Sequence, residues 1–225
     1  MKKIVTLFVL LCSIAWAQSQ DAESLKATNA PVLGLGARIA AGYGMLWGME
    51  DDWSGGENDE TPGGLDLEAG VAGRFVITPV IHFTPELLFH YAKYTQEDES
   101  GDREFTQMNA QIPLLIRANA TPKFYAYVGP QLKFNLDNDV SIKAKVSNKA
   151  SSGTTIHVIP DKVEQAKFGI GAAAGAGYYV IENLSVDMRI YLGLNELYPD
   201  SKGTFIDITG ARDLSFKLGI NYWIF

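Results

Sequence analysis

The segment A-R-D-L-S-F-K-L-G-I-N-Y-W-I-F, Ala211 to Phe225, decides how the rest of the chain is read. Leu214, Phe216, Leu218, Ile220 and Tyr222 recur at every second position, and Ser215, Lys217, Gly219 and Asn221 fill the positions between. A period of two with one wholly apolar face is a strand lying between two unlike media. Either a soluble sandwich or a lipid-embedded barrel with a polar lumen supplies such media.

Working back from that end, the same alternation recurs seven more times. It covers Val32–Trp47, Leu65–Ile77, Ile81 to about Tyr91, Phe105–Ala120, Phe124–Asn135, Lys167–Val180 and Val186–Asn195. The connections alternate in length. Glu50–Gly64, Tyr94–Glu104, Asp137–Ala166 and Glu196–Gly210 are long, whereas Thr78-Pro79, Thr121-Pro122 and Ile181–Leu184 are tight turns. An up-and-down membrane barrel needs that asymmetry between outer loops and inner turns. Aromatics on the apolar face sort the same way. Phe75, Phe83, Phe124, Tyr178 and Tyr222 fall near the short-turn ends, and Tyr43, Trp47, Phe89, Tyr91, Phe134 and Phe168 toward the long-loop ends. Two aromatic belts around an aliphatic middle match two water–lipid interfaces. The expectation is an all-β, eight-stranded, antiparallel, up-and-down transmembrane β-barrel over residues 32–225, monomeric, with lipid as its surroundings.

The N-terminus agrees with export. Lys2 and Lys3, the apolar run Ile4–Ile14 and the small-x-small Ala15-Trp16-Ala17 form the three parts of a cleaved signal peptide, residues 1–17. Residues 18–31 read as a periplasmic lead-in. The apolar run falls short of the roughly 20 residues a spanning helix needs. Cys12, the one cysteine, lies inside that segment, so disulfides and thiolate metal sites are not expected. With Lys2 and Lys3 removed from the 19 basic residues, 26 acidic ones face 17, a formal charge of −9. That balance excludes nucleic acid as partner, because phosphate contacts need clustered Lys and Arg.

Residues of several strands resemble a known family, the outer-membrane β-barrel domain of PorT-like and small porin-like proteins of Gram-negative bacteria. The resemblance rests on Pro85-Glu86-Leu87-Leu88, Gln111-Ile112-Pro113-Leu114-Leu115, Phe124–Pro130, Asp187-Met188-Arg189 with Gly193-Leu194, and Leu218–Phe225. It implies insertion into the outer membrane by the barrel-assembly machinery. The terminus departs from the pattern. Trp223 stands two residues before Phe225 as the family's ending requires, but the apolar series Phe216–Tyr222 has the opposite parity, so either a bulge or a loosely read signal is expected there.

An eight-stranded barrel is only wide enough for side chains to fill it. Charges facing its interior must therefore pair with one another. Arg38, Glu68, Arg74, Glu86, Arg117, Asp187 and Arg189 are the candidate lumen network, with Glu86 at its centre and Arg74, Arg117 and Arg189 as its partners. Inward glycines (Gly34, Gly36, Gly42, Gly44, Gly169, Gly171, Gly175, Gly177) either free space for a pore or only allow curvature. Two functions remain: a structural or loop-mediated interaction protein with a filled interior, or a small diffusion channel for water or small solutes. An enzyme is not expected. His82 and His90 share a face but stand eight strand residues apart, roughly 26 Å at about 3.3 Å per residue, too far to share one metal. No cofactor and no metal centre are expected. Asp51, Asp52, Glu57, Asp59 and Glu60 in the first loop offer oxygen ligands for a divalent cation, without the spacing of an EF-hand. Alternation at Val140, Ile142, Ala144 and Val146 suggests that a hairpin rises above the membrane, where its edge offers strand addition to an extracellular or envelope protein partner.

Overall fold

Period-two alternation becomes ten strands in the computed structural model, which describes residues 33–48, 61–98, 101–136, 139–144, 161–164, 166–197 and 210–224. They are β1 (Leu33–Trp47), β2 (Gly63–Val76), β3 (Ile81–Asp98), β4 (Gly101–Asn119), β5 (Phe124–Asn135), β6 (Asp139–Ala144), β7 (Asp161–Glu164), β8 (Phe168–Ile181), β9 (Leu184–Gly193) and β10 (Arg212–Trp223). Eight of them, all but β6 and β7, close into an antiparallel barrel. Each pairs with its neighbour in the ring, β5 meets β8, and β10 returns to β1 from Gly36↔Trp223 to Trp47↔Arg212. A closed ring leaves no unpaired strand edge facing hydrocarbon, which is the condition for strands to cross a membrane.

Parity decides the two faces. Leu214, Phe216, Leu218, Ile220 and Tyr222 point outward, and Asp213, Ser215, Lys217 and Asn221 are buried inside. The same division runs round the ring. Leu35, Ile39, Tyr43, Leu67, Val71, Leu87, Phe89, Ile116, Val128, Ile170, Met188 and Ile190 are exposed on the outer wall, while the inward positions hold almost every buried polar side chain. A soluble sandwich does the reverse. This molecule turns its greasy face out and its ions in, the arrangement of a lipid-embedded barrel. Aromatics on that outer wall meet across strands at both ends, Phe75 with Phe83 at 6.1 Å between ring centres and Phe134 with Phe168 at 5.3 Å.

Two of the short turns share one device. In Thr78-Pro79-Val80-Ile81 the Thr78 Oγ1 accepts from the Ile81 amide at 2.9 Å, and in Thr121-Pro122-Lys123-Phe124 the Thr121 Oγ1 accepts from the Phe124 amide at 2.9 Å. Proline fixes the corner and the hydroxyl satisfies an amide that the ladder leaves free.

Two boundaries depart from the sequence reading. Tyr94–Glu104, expected as an acidic loop, continues β3 and β4 in register as far as Asp98↔Gly101. In Asp137–Ala166, expected as irregular apart from a hairpin suggested by the alternation from Val140, β6 and β7 pair with each other, and β6 also adds to β4 at Arg103↔Ala144 and Glu104↔Lys143. A small sheet therefore stands on the long-loop side of the barrel. Of the two alternatives at the C-terminus, a bulge is absent as far as Ile224: Tyr222 faces out, Trp223 in and Ile224 out, and the β1–β10 register runs unbroken. The signal segment 1–17, the lead-in 18–31 and the terminal Phe225 lie outside the described residues.

Three prolines mark the ladder itself. Pairing is interrupted between β2 and β3 after Ala72↔Glu86, between β3 and β4 after Pro85↔Leu114, and between β4 and β5 after Pro113↔Gln131. Each gap holds one proline (Pro85, Pro113 and Pro130 in turn), and the register resumes unchanged beyond it. Proline has no N–H to give a neighbouring strand, so hydrogen bonds are lost there without a slip.

Candidate functional site

Strand pairing sets which inward residues share a height in the lumen. Arg38 in β1 is opposite Asn221 in β10, and the adjacent pair Gly219↔Asp187 brings β9 to the same level. Glu68 in β2 lies opposite Ala40, and Glu86 in β3 opposite Ala72. Carboxylates and guanidiniums from four strands, with the Asn221 amide from a fifth, therefore meet at mid-barrel.

Their contacts form one network. Arg38 gives its Nε to Glu68 Oε1 at 2.8 Å and its Nη1 to Asp187 Oδ2 at 2.5 Å and Asn221 Oδ1 at 3.1 Å. Asn221 Nδ2 donates to the same Asp187 oxygen at 2.7 Å. Arg189 holds Glu86 with both arms, Nη1 to Oε2 and Nη2 to Oε1, each at 2.8 Å. The forked geometry makes this the most directional pair in the lumen. Its Nη1 also lies 3.6 Å from Glu68, and Lys217 Nζ reaches Glu68 Oε2 at 2.8 Å and Asp66 Oδ1 at 3.1 Å. Asp66 is completed by His90 Nε2 at 2.6 Å. Toward the loop side, Lys133 pairs with Asp213 and donates to Gln107 at 3.2 Å. The side chains of Arg38 and Glu68 have no solvent-exposed surface at all. Charges buried this deeply are tolerable only because each finds a counter-ion.

Aromatic rings fill the space beside the ions. Tyr125, Tyr127, Leu115 and Ala173 form a buried cluster with Tyr179 against it, and Tyr127 OH accepts from Arg189 Nε at 3.2 Å. Several inward glycines are covered by side chains of neighbouring strands. A Cβ at Gly177 would stand 2.3 Å from the Tyr125 ring, one at Gly175 2.5 Å from Tyr127, and one at Gly219 2.6 Å from the Arg38 guanidinium. Glycine is there so that a ring or a guanidinium on the next strand can lie flat on the wall.

Of the residues expected to form the network, Arg38, Glu68, Glu86, Asp187 and Arg189 are brought together; Arg74 and Arg117 are not. Glu86 has Arg189 as its close partner with Arg38 Nε farther off at 4.0 Å, and Glu68, which contacts Arg38, Lys217 and Arg189, occupies the centre instead. Arg74 donates to Tyr179 OH at 3.3 Å and lies 4.7 Å from the Trp223 ring centre. Arg117 is stacked 3.4 Å from the centre of the Tyr125 ring and donates to Asn119 at 3.3 Å. Among the described residues neither arginine pairs with a carboxylate. Both sit near the short turns, below the height of the acids. Lys217, Asp66, His90, Lys133, Asp213, Asn221 and Tyr127 belong to the lumen clusters in addition, and their inward parity was the signal that could have placed them. His82 stands apart from His90, beside Asn119 at 3.3 Å. The acidic loop residues Asp51, Asp52, Glu57, Asp59 and Glu60 lie outside the described residues. Among the described residues, no group of three His, Cys, Asp or Glu side chains is placed to hold a metal ion.

Comparison with known proteins follows the architecture. Comparison with curated protein sequences finds no match. Similar solved structures include Neisserial surface protein A (13% identity, 84% of this chain and 96% of that chain covered, TM-score 0.46). They also include Ail, the attachment invasion locus protein of Yersinia pestis (14%, 84% and 98%, TM-score 0.36), and the outer membrane protein OprG from Pseudomonas aeruginosa (12%, 84% and 95%, TM-score 0.38). A family model described as outer membrane protein beta-barrel domain matches residues 16–198, which take in β1 through β9. The chain belongs to that family, and it is an eight-stranded transmembrane barrel of the Gram-negative outer membrane.

Proposed function

We propose that this barrel is a structural or loop-mediated interaction protein whose lumen is closed by its own ions. The observation that carries this reading is the mid-barrel network of Arg38, Glu68, Glu86, Asp187, Arg189 and Lys217. These six side chains come from β1, β2, β3, β9 and β10 and bridge the interior from wall to wall. Tyrosines lie on the glycine-bearing wall, Tyr127 against Gly175 and Tyr125 against Gly177. Interaction then falls to the part that rises above the membrane, where β6 extends the β3–β4 hairpin and β7 continues the sheet. A short strand at a sheet edge offers backbone donors and acceptors to an extended segment of an extracellular or envelope protein. A non-catalytic role agrees with the placement of the histidines: His90 is held by Asp66 inside the network and His82 lies at another height beside Asn119. Residues 1–17 act as the export signal in this reading, outer-membrane lipid surrounds the barrel, and the assembly machinery inserts it.

The runner-up is a small diffusion channel. Conductance across planar lipid bilayers separates the two. The ion-closed lumen gives only rare, brief openings at moderate voltage, whereas a steady conductance proportional to the number of inserted barrels would establish the channel and end the first reading.

A further inference from the structure

The charges of the lumen are unevenly distributed along its axis. At mid-barrel and above, Arg38, Arg189, Lys217 and Lys133 face Asp66, Glu68, Glu86, Asp187 and Asp213, all buried and paired. At the short-turn end stand Arg74 and Arg117, and among the described residues no carboxylate pairs with either. The two guanidiniums share their surroundings. Arg74 donates to Tyr179 OH, and Arg117 lies 4.9 Å from the centre of the Tyr179 ring; both flank Trp223, at 4.7 Å and 5.9 Å from its ring centre.

Cation–π contact offsets part of the cost of confining two like charges, but it accepts no hydrogen bond in the guanidinium plane. Arg74 Nε, Arg117 Nη2, Trp223 Nε1 and Thr84 Oγ1 are buried and find no hydrogen-bond partner among the described residues. Arg117 is 3% exposed and Trp223 3%, so these are enclosed groups and not surface arginines waving in water. Thr84 falls opposite Arg74 where the β2–β3 ladder is interrupted, so its hydroxyl faces the same end of the lumen. Buried donors left without acceptors are costly. A cluster that offers guanidinium, indole and hydroxyl donors, with no acceptor carrying charge, is complementary to an oxyanion.

We propose that the periplasmic mouth of the barrel binds a small phosphate-class oxyanion between Arg74 and Arg117, with Trp223 Nε1 and Thr84 Oγ1 as further donors. Arg74 is half-buried and forms the entrance; Arg117 is the enclosed anchor. Both arginines are on the lumen face, so the oxyanion comes from periplasmic solution by way of the mouth, or from a phospholipid headgroup curling in from the inner leaflet. The chemistry recognised is the same. The site is independent of whether the lumen conducts, since it lies below the mid-barrel network.

The test is calorimetric titration of inorganic phosphate into the full chain folded in an uncharged detergent at neutral pH. Expected is saturable one-to-one binding with a Kd of about 1 mM or tighter. Arg117→Gln should weaken it by at least about tenfold and Arg74→Gln by a similar factor, while Thr84→Val weakens it less. Among the described residues neither arginine carries an ion pair, so the variants should keep the heat-resistant gel mobility of the folded barrel; should Arg117→Gln fail to fold, Arg74→Gln and Thr84→Val still decide. The same titration in nanodiscs of phosphatidylglycerol against phosphatidylcholine identifies the source. Loss of phosphate binding in phosphatidylglycerol alone assigns the site to a lipid headgroup, and equal binding in both assigns it to a soluble anion. No saturable binding by the wild-type chain, or binding unchanged in all three variants, would overturn the proposal.

Discussion

Arg38→Met costs the folded barrel about 3–5 kcal/mol, the usual loss when one member of a buried ion network is removed. Methionine fills most of the volume but leaves Asp187 with Asn221 alone and takes from Glu68 Oε1 its 2.8 Å partner, with Lys217 remaining on Oε2. Urea unfolding from neutral phospholipid vesicles measures the loss directly. Adding Asp187→Asn to the variant should recover part of it, because the charge left behind is what destabilises; a double-mutant cycle gives the coupling. A loss under about 1 kcal/mol would mean that water reaches these groups, and with it the closed-lumen reading would go.

Leu218→Arg produces the second large effect, about 2–4 kcal/mol. Leu218 is 68% exposed, pairs with Ala41 on one side and Met188 on the other, and stands midway along the outward row of β10. An arginine there meets hydrocarbon. The control is depth. Tyr222→Arg, on the same row but next to the short turns, should cost about 0–1 kcal/mol because the guanidinium reaches headgroups. Vesicle unfolding of the two variants gives the profile. Equal losses at both positions would mean a protein layer, and not a bilayer, covers that row.

Face assignment was fully legible in the alternation, since a strand's parity is a property of its own residues. Height was partly legible too, from the Thr78-Pro79 and Thr121-Pro122 turns that pin the registers. Azimuth was not. Arg74 and Arg117 have the parity and length to reach a carboxylate, but nothing in a one-dimensional pattern says that Tyr125, Tyr179 and Trp223 arrive first. Glu86 was read as the hub for the same reason: Lys217 approaches Glu68 from β10, which no local pattern reveals. The extension of β3 and β4 was missed on different grounds. The segment E-D-E-S-G-D-R-E carries no apolar residue at every second position, so nothing in its sequence betrays a strand.

The proline positions bear on how the ring bears load. From β8 through β9, β10 and β1 to β2 the rungs run continuously to the last turn before Ile181, whereas the quadrant from β2 to β5 is missing rungs on a diagonal through Pro85, Pro113 and Pro130. Lateral pressure from the surrounding bilayer is thus absorbed unequally. The stiff arc keeps Arg38, Asp187 and Lys217 in place, whereas Glu86, beside Pro85 in the interrupted flank, is held by the forked Arg189 that reaches it across the lumen.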